Sequence, residues 1–175
     1  MTQRFNIALL PVEEQLQSLI TNLSIHYFSA IHDDYILGKE GLAHVTLCQF
    51  HAASAQEAMA AYQKFLPQPN INLSIEEFRI RPGTLVNSGK FIAEFKIEAQ
   101  ENLLFLQKNC CQHLEAHQLK ALTPIASYSP HITMARLNHL TTEQPSLADL
   151  PQTQSILFRP ALGLSTESGV FVREL

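Results

Sequence analysis

Two of the eight histidines in this 175-residue chain begin the same short pattern, His-x-Thr-x with apolar residues at both x positions. The two copies are HVTL at 44–47 and HITM at 131–134. In a β-strand, residues i and i+2 point to the same face, so each histidine projects together with its threonine while the apolar residues pack behind them. The pattern therefore predicts two polar pairs on rigid supports, which is what a reactive site requires.

The chemistry that two such pairs suit is cleavage of a phosphodiester without a metal. Imidazole titrates near neutrality, so one neutral ring can accept a proton while a second, protonated ring donates one. In-line displacement at phosphorus needs these groups on opposite sides of the reacting bond, and we expect His44 and His131 to supply them. The hydroxyls of Thr46 and Thr133 are predicted to bind the non-bridging phosphate oxygens.

Two alternatives stay open for the histidines. Either one alone also fits an ordinary half-buried strand histidine. Metal ligation is the second alternative, but each motif offers one histidine and no Cys or carboxylate on the same strand face. A closed metal site would need ligands from elsewhere. We expect neither a metal nor a cofactor.

Composition limits the class of protein and its partners. A hydrophobic content of 46% with 16% charged residues is typical of a soluble globular chain, and we expect residues 1–175 to form one bilobal domain. The net charge of −4 argues against a surface for extended duplex nucleic acid, which usually carries a basic excess. A small nucleotide or the end of an RNA strand remains compatible as a substrate.

Cysteine usage indicates a reducing compartment. The chain has three cysteines, two of them adjacent (Cys110 and Cys111), and no C-x-x-C spacing. No stretch approaches the roughly 20 apolar residues that a membrane span needs. We therefore expect a cytoplasmic monomer without a membrane partner.

Hydrophobic periodicity predicts an alternation of strands and helices. Strand patterns cover 5–10, 35–50, 71–80 with a bulge near Glu76 and Glu77, 91–97, the second motif, and a closing hairpin from 156 with a turn at STESG. Helical patterns cover 12–24, a segment opened by a capping box of Ser54 and Glu57 and closed after Leu66 by Pro67, and 101–118. Each half of the chain holds a helix, a loop and a strand with His-x-Thr. This echo predicts an α+β fold of two related lobes with mostly antiparallel sheets.

The motifs carry a family resemblance. HVTL at 44–47 and PHITMAR at 130–136 resemble the two signature motifs of the two-histidine (2H) phosphoesterases, especially the bacterial 2′-5′ RNA ligase-like group. The segment ALGLSTESGVFVREL at 161–175 is similar to that group's closing hairpin. The resemblance implies two pseudo-symmetric lobes with outer helices around a central cleft. It also implies hydrolysis of 2′,3′-cyclic phosphates or 2′-5′ phosphodiesters of nucleotides or RNA ends, with reversible 2′-5′ ligation in some members.

The resemblance assigns roles to individual residues. His44 and His131 become the acid–base pair, Thr46 and Thr133 become ligands of phosphate oxygens, and Arg136 becomes a phosphate-binding cation. The likeness favours His131 as the base that activates water and His44 as the acid that protonates the leaving oxygen. A non-catalytic module that binds a nucleotide or RNA end on the same fold is the alternative reading.

Three further points depend on the strands. By simple alternation Arg136 lies on the face opposite to Thr133, and it reaches the site only if the strand bulges or ends near Ala135. The sequence after the first motif, CQFH at 48–51, differs from the aromatic-Leu-Gly stretch common in the family, which leaves the substrate subgroup open. Tyr128, which precedes the second motif, is the best candidate for stacking on a base.

Overall fold

The computed structural model describes residues 2–65, 69–84, 87–150 and 155–175. Within these ranges the chain forms nine strands and three α-helices. The strands are β1 (Gln3–Pro11), β2 (His32–Ile36), β3 (Val45–Ala52), β4 (Ile71–Leu73), β5 (Ile75–Pro82), β6 (Phe91–Ile97), β7 (His131–Leu137), β8 (Ile156–Ser165) and β9 (Phe171–Glu174). The helices are α1 (Glu14–Phe28), α2 (Ala55–Phe65) and α3 (Glu101–Ala116).

The strands form two antiparallel sheets, which confirms the α+β fold of two lobes. The first sheet has the order β3-β1-β8-β4, and β9 pairs with the C-terminal part of β8. The second sheet has the order β2-β7-β6-β5. The two motif strands, β3 and β7, belong to different sheets and lie against each other. Each sheet therefore contributes one His-x-Thr pair to the space between them.

The helices cover the outer faces of the sheets. α1 packs on β7 and β2, whereas α2 and α3 pack on the first sheet. Apolar residues of the motifs point into this core, where Val45, Leu47, Ile132 and Met134 have no exposed surface. Burial of these side chains, each contributing about 1.5–3 kcal/mol, fixes the strands that carry the polar pairs.

Two strand patterns divide between the sheets, which sequence periodicity did not reveal. The pattern at 71–80 splits at Ser74 into β4 of the first sheet and β5 of the second. The pattern at 35–50 likewise splits into β2 and β3. Alternation indicates that every second residue is buried, but it does not indicate which sheet the strand joins. The predicted bulge is confirmed, because the β5–β6 register shifts between Ile75 and Glu77.

The start of α2 agrees with the prediction, whereas α1 runs from Glu14 to Phe28 and so ends four residues beyond the predicted helix over 12–24. Ser54 Oγ accepts a hydrogen bond from Glu57 N at 3.2 Å, and the Glu57 carboxylate reaches back to Ala53 N at 2.6 Å. α3 ends at Ala116, before Gln118 adopts a positive φ of 62°. The predicted end of α2 at Leu66 and Pro67 lies outside the described residues, as do residues 151–154 before the predicted hairpin.

The three cysteines are buried free thiols. In the described part of the chain, no helix combines the length and apolar character that crossing a membrane requires.

Candidate active site

A cleft of about 580 Å³ lies between the two sheets and is lined by both His-x-Thr pairs. His44 immediately precedes β3, and His131 is the first residue of β7. All four predicted side chains and the two other candidates reach the same cleft: His44, Thr46, Tyr128, His131, Thr133 and Arg136. The structure therefore brings together every residue that the sequence proposed for the site.

Both imidazoles are anchored in the same way. His44 Nδ1 lies 2.7 Å from the carbonyl oxygen of Leu42, and His131 Nδ1 lies 2.7 Å from that of Ser129. A carbonyl oxygen can only accept, so Nδ1 carries the proton in each ring. Nε2 is then the nitrogen left for proton transfer, since the bond to the carbonyl fixes both tautomer and orientation.

The two rings sit in unlike surroundings. His44 is only 8% exposed, and its ring packs against that of Phe171 with centroids 5.1 Å apart. Burial, reinforced by the nearby charge of His131, lowers the pKa of His44 to about 4, although the hydrogen bond to Leu42 opposes the shift. The side chain of His131 is 31% exposed, and its Nε2 lies 3.6 Å from Glu94 Oε2. His44 is thus held neutral, whereas His131 faces a carboxylate.

The first threonine is oriented by a residue that sequence analysis missed. Asn6, fully buried on β1, donates a hydrogen bond from Nδ2 to Thr46 Oγ1 at 2.9 Å. Because the Thr46 oxygen accepts this bond, its own proton remains available to a ligand in the cleft. A polar residue inside the apolar run FNIALL was the signal that could have revealed it.

Both motif strands bulge directly after the threonine. Along β1, Ile7 pairs with Cys48 and Ala8 with Thr46, which leaves Leu47 as the extra residue. Along β6, the register likewise passes over Met134. A bulge inserts one residue and reverses the alternation beyond it.

The bulges decide which residues line the cleft. Beyond Met134 the alternation is reversed, so the Arg136 side chain points to the cleft. This is the bulge near Ala135 that Arg136 needed in order to reach the site. Gln49 occupies the equivalent position after Leu47 and lines the same cleft. Gln49 could not be predicted from the sequence, because the bulge at Leu47 is visible only in the pairing of β3 with β1.

The turn of the β8–β9 hairpin (residues 166–169) joins the two sides of the site. Three cleft side chains donate to its consecutive carbonyls: Arg4 to Glu167, Arg136 to Ser168 at 2.8 Å, and Gln49 to Gly169 at 3.0 Å. Arg136 also lies 3.5 Å from Asp34 and 5.2 Å from the centre of the Tyr35 ring. Its guanidinium is therefore held rigidly by both lobes at the edge of the cleft.

A buried carboxylate stands beside the second motif. Glu94 on β6 has no exposed surface and pairs in register with Thr133. Its Oε1 accepts hydrogen bonds from Arg79 at 2.6 and 2.8 Å and from Arg81 Nε at 2.9 Å. Glu94 was not singled out from the sequence, although a Glu within the apolar strand FIAEFKI was the available signal.

Tyr128 forms part of the cleft wall. Its hydroxyl donates to the carbonyl oxygen of Thr46 at 2.8 Å, and burial raises its pKa, so it stays a neutral donor. This bond ties the loop before β7 to the first motif strand and leaves the ring along the wall. In the ranges that the structure describes, no group of three or more His, Cys, Asp or Glu side chains is arranged to hold a metal ion.

Comparison with solved structures identifies the fold. Escherichia coli LigT in complex with 3′-AMP aligns with a TM-score of 0.67 and 17% identity, over 100% of this chain and 95% of that one. LigT in complex with phosphate aligns with a TM-score of 0.63 and 18% identity, over 99% and 93%. A further structure, of a phosphoesterase, gives 0.63 and 18%, over 100% and 96%. No protein-family model matches the sequence, and no curated protein matches it significantly. The chain has the LigT fold.

Proposed function

We propose that the chain is a 2H phosphoesterase, a metal-independent phosphodiesterase acting on 2′,3′-cyclic phosphate or 2′-5′ phosphodiester bonds of nucleotides or RNA ends. The observation that carries this proposal is the matched anchoring of His44 and His131. Each Nδ1 is 2.7 Å from the carbonyl two residues before it, which leaves both Nε2 atoms for proton transfer in one cleft. A purely structural histidine would not need this duplicated arrangement.

The chemistry follows from two imidazoles in opposite protonation states. One neutral ring takes a proton from the attacking water while the other protonates the leaving oxygen, so the two proton transfers are both supplied by side chains. Acid–base catalysis by a well-placed group typically contributes about 10²–10⁴-fold in rate. In the reverse direction the two roles exchange, which would give 2′-5′ ligation.

The phosphate is bound by hydroxyls and one cation. Thr46 and Thr133 donate to the non-bridging oxygens, whose charge changes towards the transition state. Arg136, whose side chain is 6% exposed, offers a planar fork suited to phosphate. We assign base stacking to Tyr128, whose ring lines the cleft. The structure of LigT with 3′-AMP supports a nucleotide ligand for this fold, and that of LigT with phosphate supports an anion.

The partner is a small nucleotide or an RNA terminus rather than an extended duplex. The cleft of about 580 Å³ fits a nucleotide-sized ligand. The net charge of −4 offers no broad basic surface for tracking phosphates. We further propose a monomeric, cytoplasmic protein in which one chain provides the whole site.

The test is turnover of a panel of 2′,3′-cyclic nucleotides and 2′-5′-linked dinucleotides by the purified chain in excess EDTA. The proposal expects ring opening or linkage cleavage that EDTA does not reduce, with the phosphate product followed by ³¹P NMR. Binding of a nucleotide 2′- or 3′-phosphate without turnover of any of these substrates would instead identify a non-catalytic binding module.

A further inference from the structure

The two oxygens of the buried Glu94 carboxylate have different surroundings. Oε1 accepts the hydrogen bonds from Arg79 and Arg81, whereas Oε2 is buried without a hydrogen-bond partner in the described structure. His131 Nε2 lies 3.6 Å from Oε2. An unsatisfied buried carboxylate oxygen is costly, so its position beside this nitrogen calls for a role.

The same network also holds the other side of the His131 ring. Arg79 Nη2, which bonds Glu94 at 2.6 Å, also donates to Ser129 Oγ at 3.3 Å. The Ser129 carbonyl in turn accepts from His131 Nδ1 at 2.7 Å. Glu94, Arg79, Ser129 and His131 thus form a circuit of contacts around the ring, which is hydrogen-bonded at Nδ1 and faces the carboxylate, 3.6 Å away, at Nε2.

His44 lacks any such partner. Of the ion pairs found among the described residues, none involves His44, and its ring faces Phe171 instead. Burial disfavours a charge on this ring, while the carboxylate beside His131 favours one there. The two motifs are alike in backbone and threonine, but they differ in the charge that stands next to Nε2.

We propose that Glu94 is a positioning residue that keeps the proton on His131 Nε2 in the resting enzyme, so that His131 is the acid and His44 the base of hydrolysis. This inference rests on the proposed phosphodiesterase function. It reverses the roles that the family resemblance favoured, and the reason is a side chain outside both motifs.

The two histidines supply both proton transfers of the hydrolysis step. His44 Nε2 accepts a proton from water as the water oxygen bonds to phosphorus, and the bond from phosphorus to the leaving ribose oxygen breaks. That oxygen takes the proton from His131 Nε2. His44 ends protonated and His131 neutral, and exchange of protons with solvent restores the starting state.

Nearby cations disfavour a positive charge on the His131 ring unless carboxylates neutralise them. Arg79 and Arg81 on β5 are bound by Glu94 Oε1, and Lys96 on β6 is paired with Glu76 at 2.7 Å. Other charged or titratable groups near the cleft include Glu77 beside Arg79, together with Arg4, Tyr35, His44, Tyr128 and Arg136. Although burial raises the pKa of Glu94, the charge of His131 and the bonds from Arg81 and Arg79 hold it below its usual value. The carboxylate is therefore ionised at neutral pH.

The activity test is the pH profile of kcat/KM for wild type and Glu94→Gln. Loss of the carboxylate charge should move the high-pH limb to lower pH, because the charge that favours the protonated ring is removed. The low-pH limb should not move. Glu94→Asp, which keeps the charge, should restore the high-pH limb, and Glu77→Gln, the same change on an exposed neighbour, should leave both limbs in place.

A second readout does not depend on activity. Protonation of the His131 ring, followed by NMR in the full chain without substrate, should occur at lower pH in Glu94→Gln than in wild type. Arg79→Gln removes a nearby cation, so protonation of the His131 ring should occur at higher pH than in wild type. This variant provides the test if Glu94→Gln does not fold. If these shifts in His131 protonation are observed but no substrate is turned over, the Glu94–His131 ion pair is supported and the proposed function is not.

Two results would overturn the inference. One is a His131 ring whose protonation is the same in wild type, Glu94→Gln and Arg79→Gln. The other is movement of the low-pH limb instead of the high-pH limb in Glu94→Gln, which would identify His131 as the base.

Discussion

Gln49 and Arg136 occupy equivalent positions, each three residues after the threonine of its motif, and they donate hydrogen bonds to adjacent carbonyls of one turn. The two lobes therefore share a backbone plan but place a neutral amide on one side and a cation on the other. The proposed function therefore expects a phosphate in the cleft to be neutralised mainly from the side of β7.

Replacing the cation should weaken substrate binding. Arg136→Gln removes a charge-assisted hydrogen bond of about 1.5–3 kcal/mol, so we expect KM for a cyclic nucleotide to rise by roughly 10–100-fold. Gln49→Ala, the change at the equivalent position in the other lobe, loses the bonds with Arg4 and Gly169 but removes no charge, and it should raise KM by less than about 10-fold. Steady-state kinetics measure both, and an unchanged KM in Arg136→Gln would contradict the assigned role.

The bond from Asn6 to Thr46 predicts coupling between two residues on different strands. Asn6→Leu frees the Thr46 oxygen from its donor, and we expect kcat to fall by about 5–20-fold, equivalent to one hydrogen bond in the transition state. Thr46→Val should have a similar effect, and the double variant should be little worse than either single one. Asn6→Leu combined with Thr133→Val is the control, because the effects of uncoupled residues multiply. Multiplicative losses for Asn6 and Thr46 would show that they act independently.

The depressed pKa of His44 predicts a pH-dependent stability. Its folded-state pKa of about 4 lies below its ordinary value of 6.5, so the unfolded chain binds the proton more readily between these values. Stability is then fully present above about pH 6.5 and is lost as pH falls towards 4.

The measurement for this prediction is urea denaturation at pH 7 and pH 5. Wild type should lose about 2 kcal/mol more free energy of unfolding between these values than His44→Asn, in which the titrating ring is absent. An equal pH dependence in the two proteins would show that burial does not hold His44 neutral.

The hairpin turn offers a test of its role in ordering the site. Gly169 has a φ of 90°, and a Cβ there would lie 3.0 Å from Gln49 Nε2. Gly169→Ala should cost about 1–2 kcal/mol from the left-handed backbone and also raise KM through displacement of Gln49. Gly89→Ala is the matched control, since Gly89 has a φ of 85° with nothing within 4 Å of the added carbon. Equal KM values in both variants would separate the turn from binding.

The sequence allowed the fold class and the site to be predicted because both depend on local patterns. Period-two burial around HVTL and HITM placed each histidine with its threonine, and the structure brings both pairs to one cleft. Arg136 could reach the site only if its strand bulged or ended near Ala135, and the strand bulges at Met134. The pairing of each histidine with its threonine follows from alternation, whereas the candidacy of Arg136 came from the family resemblance.

What could not be predicted depends on partners distant in sequence. The bulge at Leu47, which turns Gln49 to the cleft, is visible only in the pairing of β3 with β1. Glu94 resembles a solvated strand residue until Arg79, Arg81 and His131 are seen around it. Periodicity likewise cannot report that the chain changes sheets at Ser74.

The central claim is most directly tested by kcat/KM of His44→Ala and His131→Ala on a 2′,3′-cyclic nucleotide in excess EDTA. Each substitution should reduce kcat/KM by roughly 10²–10⁴-fold, because each removes one of the two proton transfers. His139→Ala, the same change at an exposed histidine, should retain wild-type activity. Wild-type turnover in either His44→Ala or His131→Ala would contradict the account.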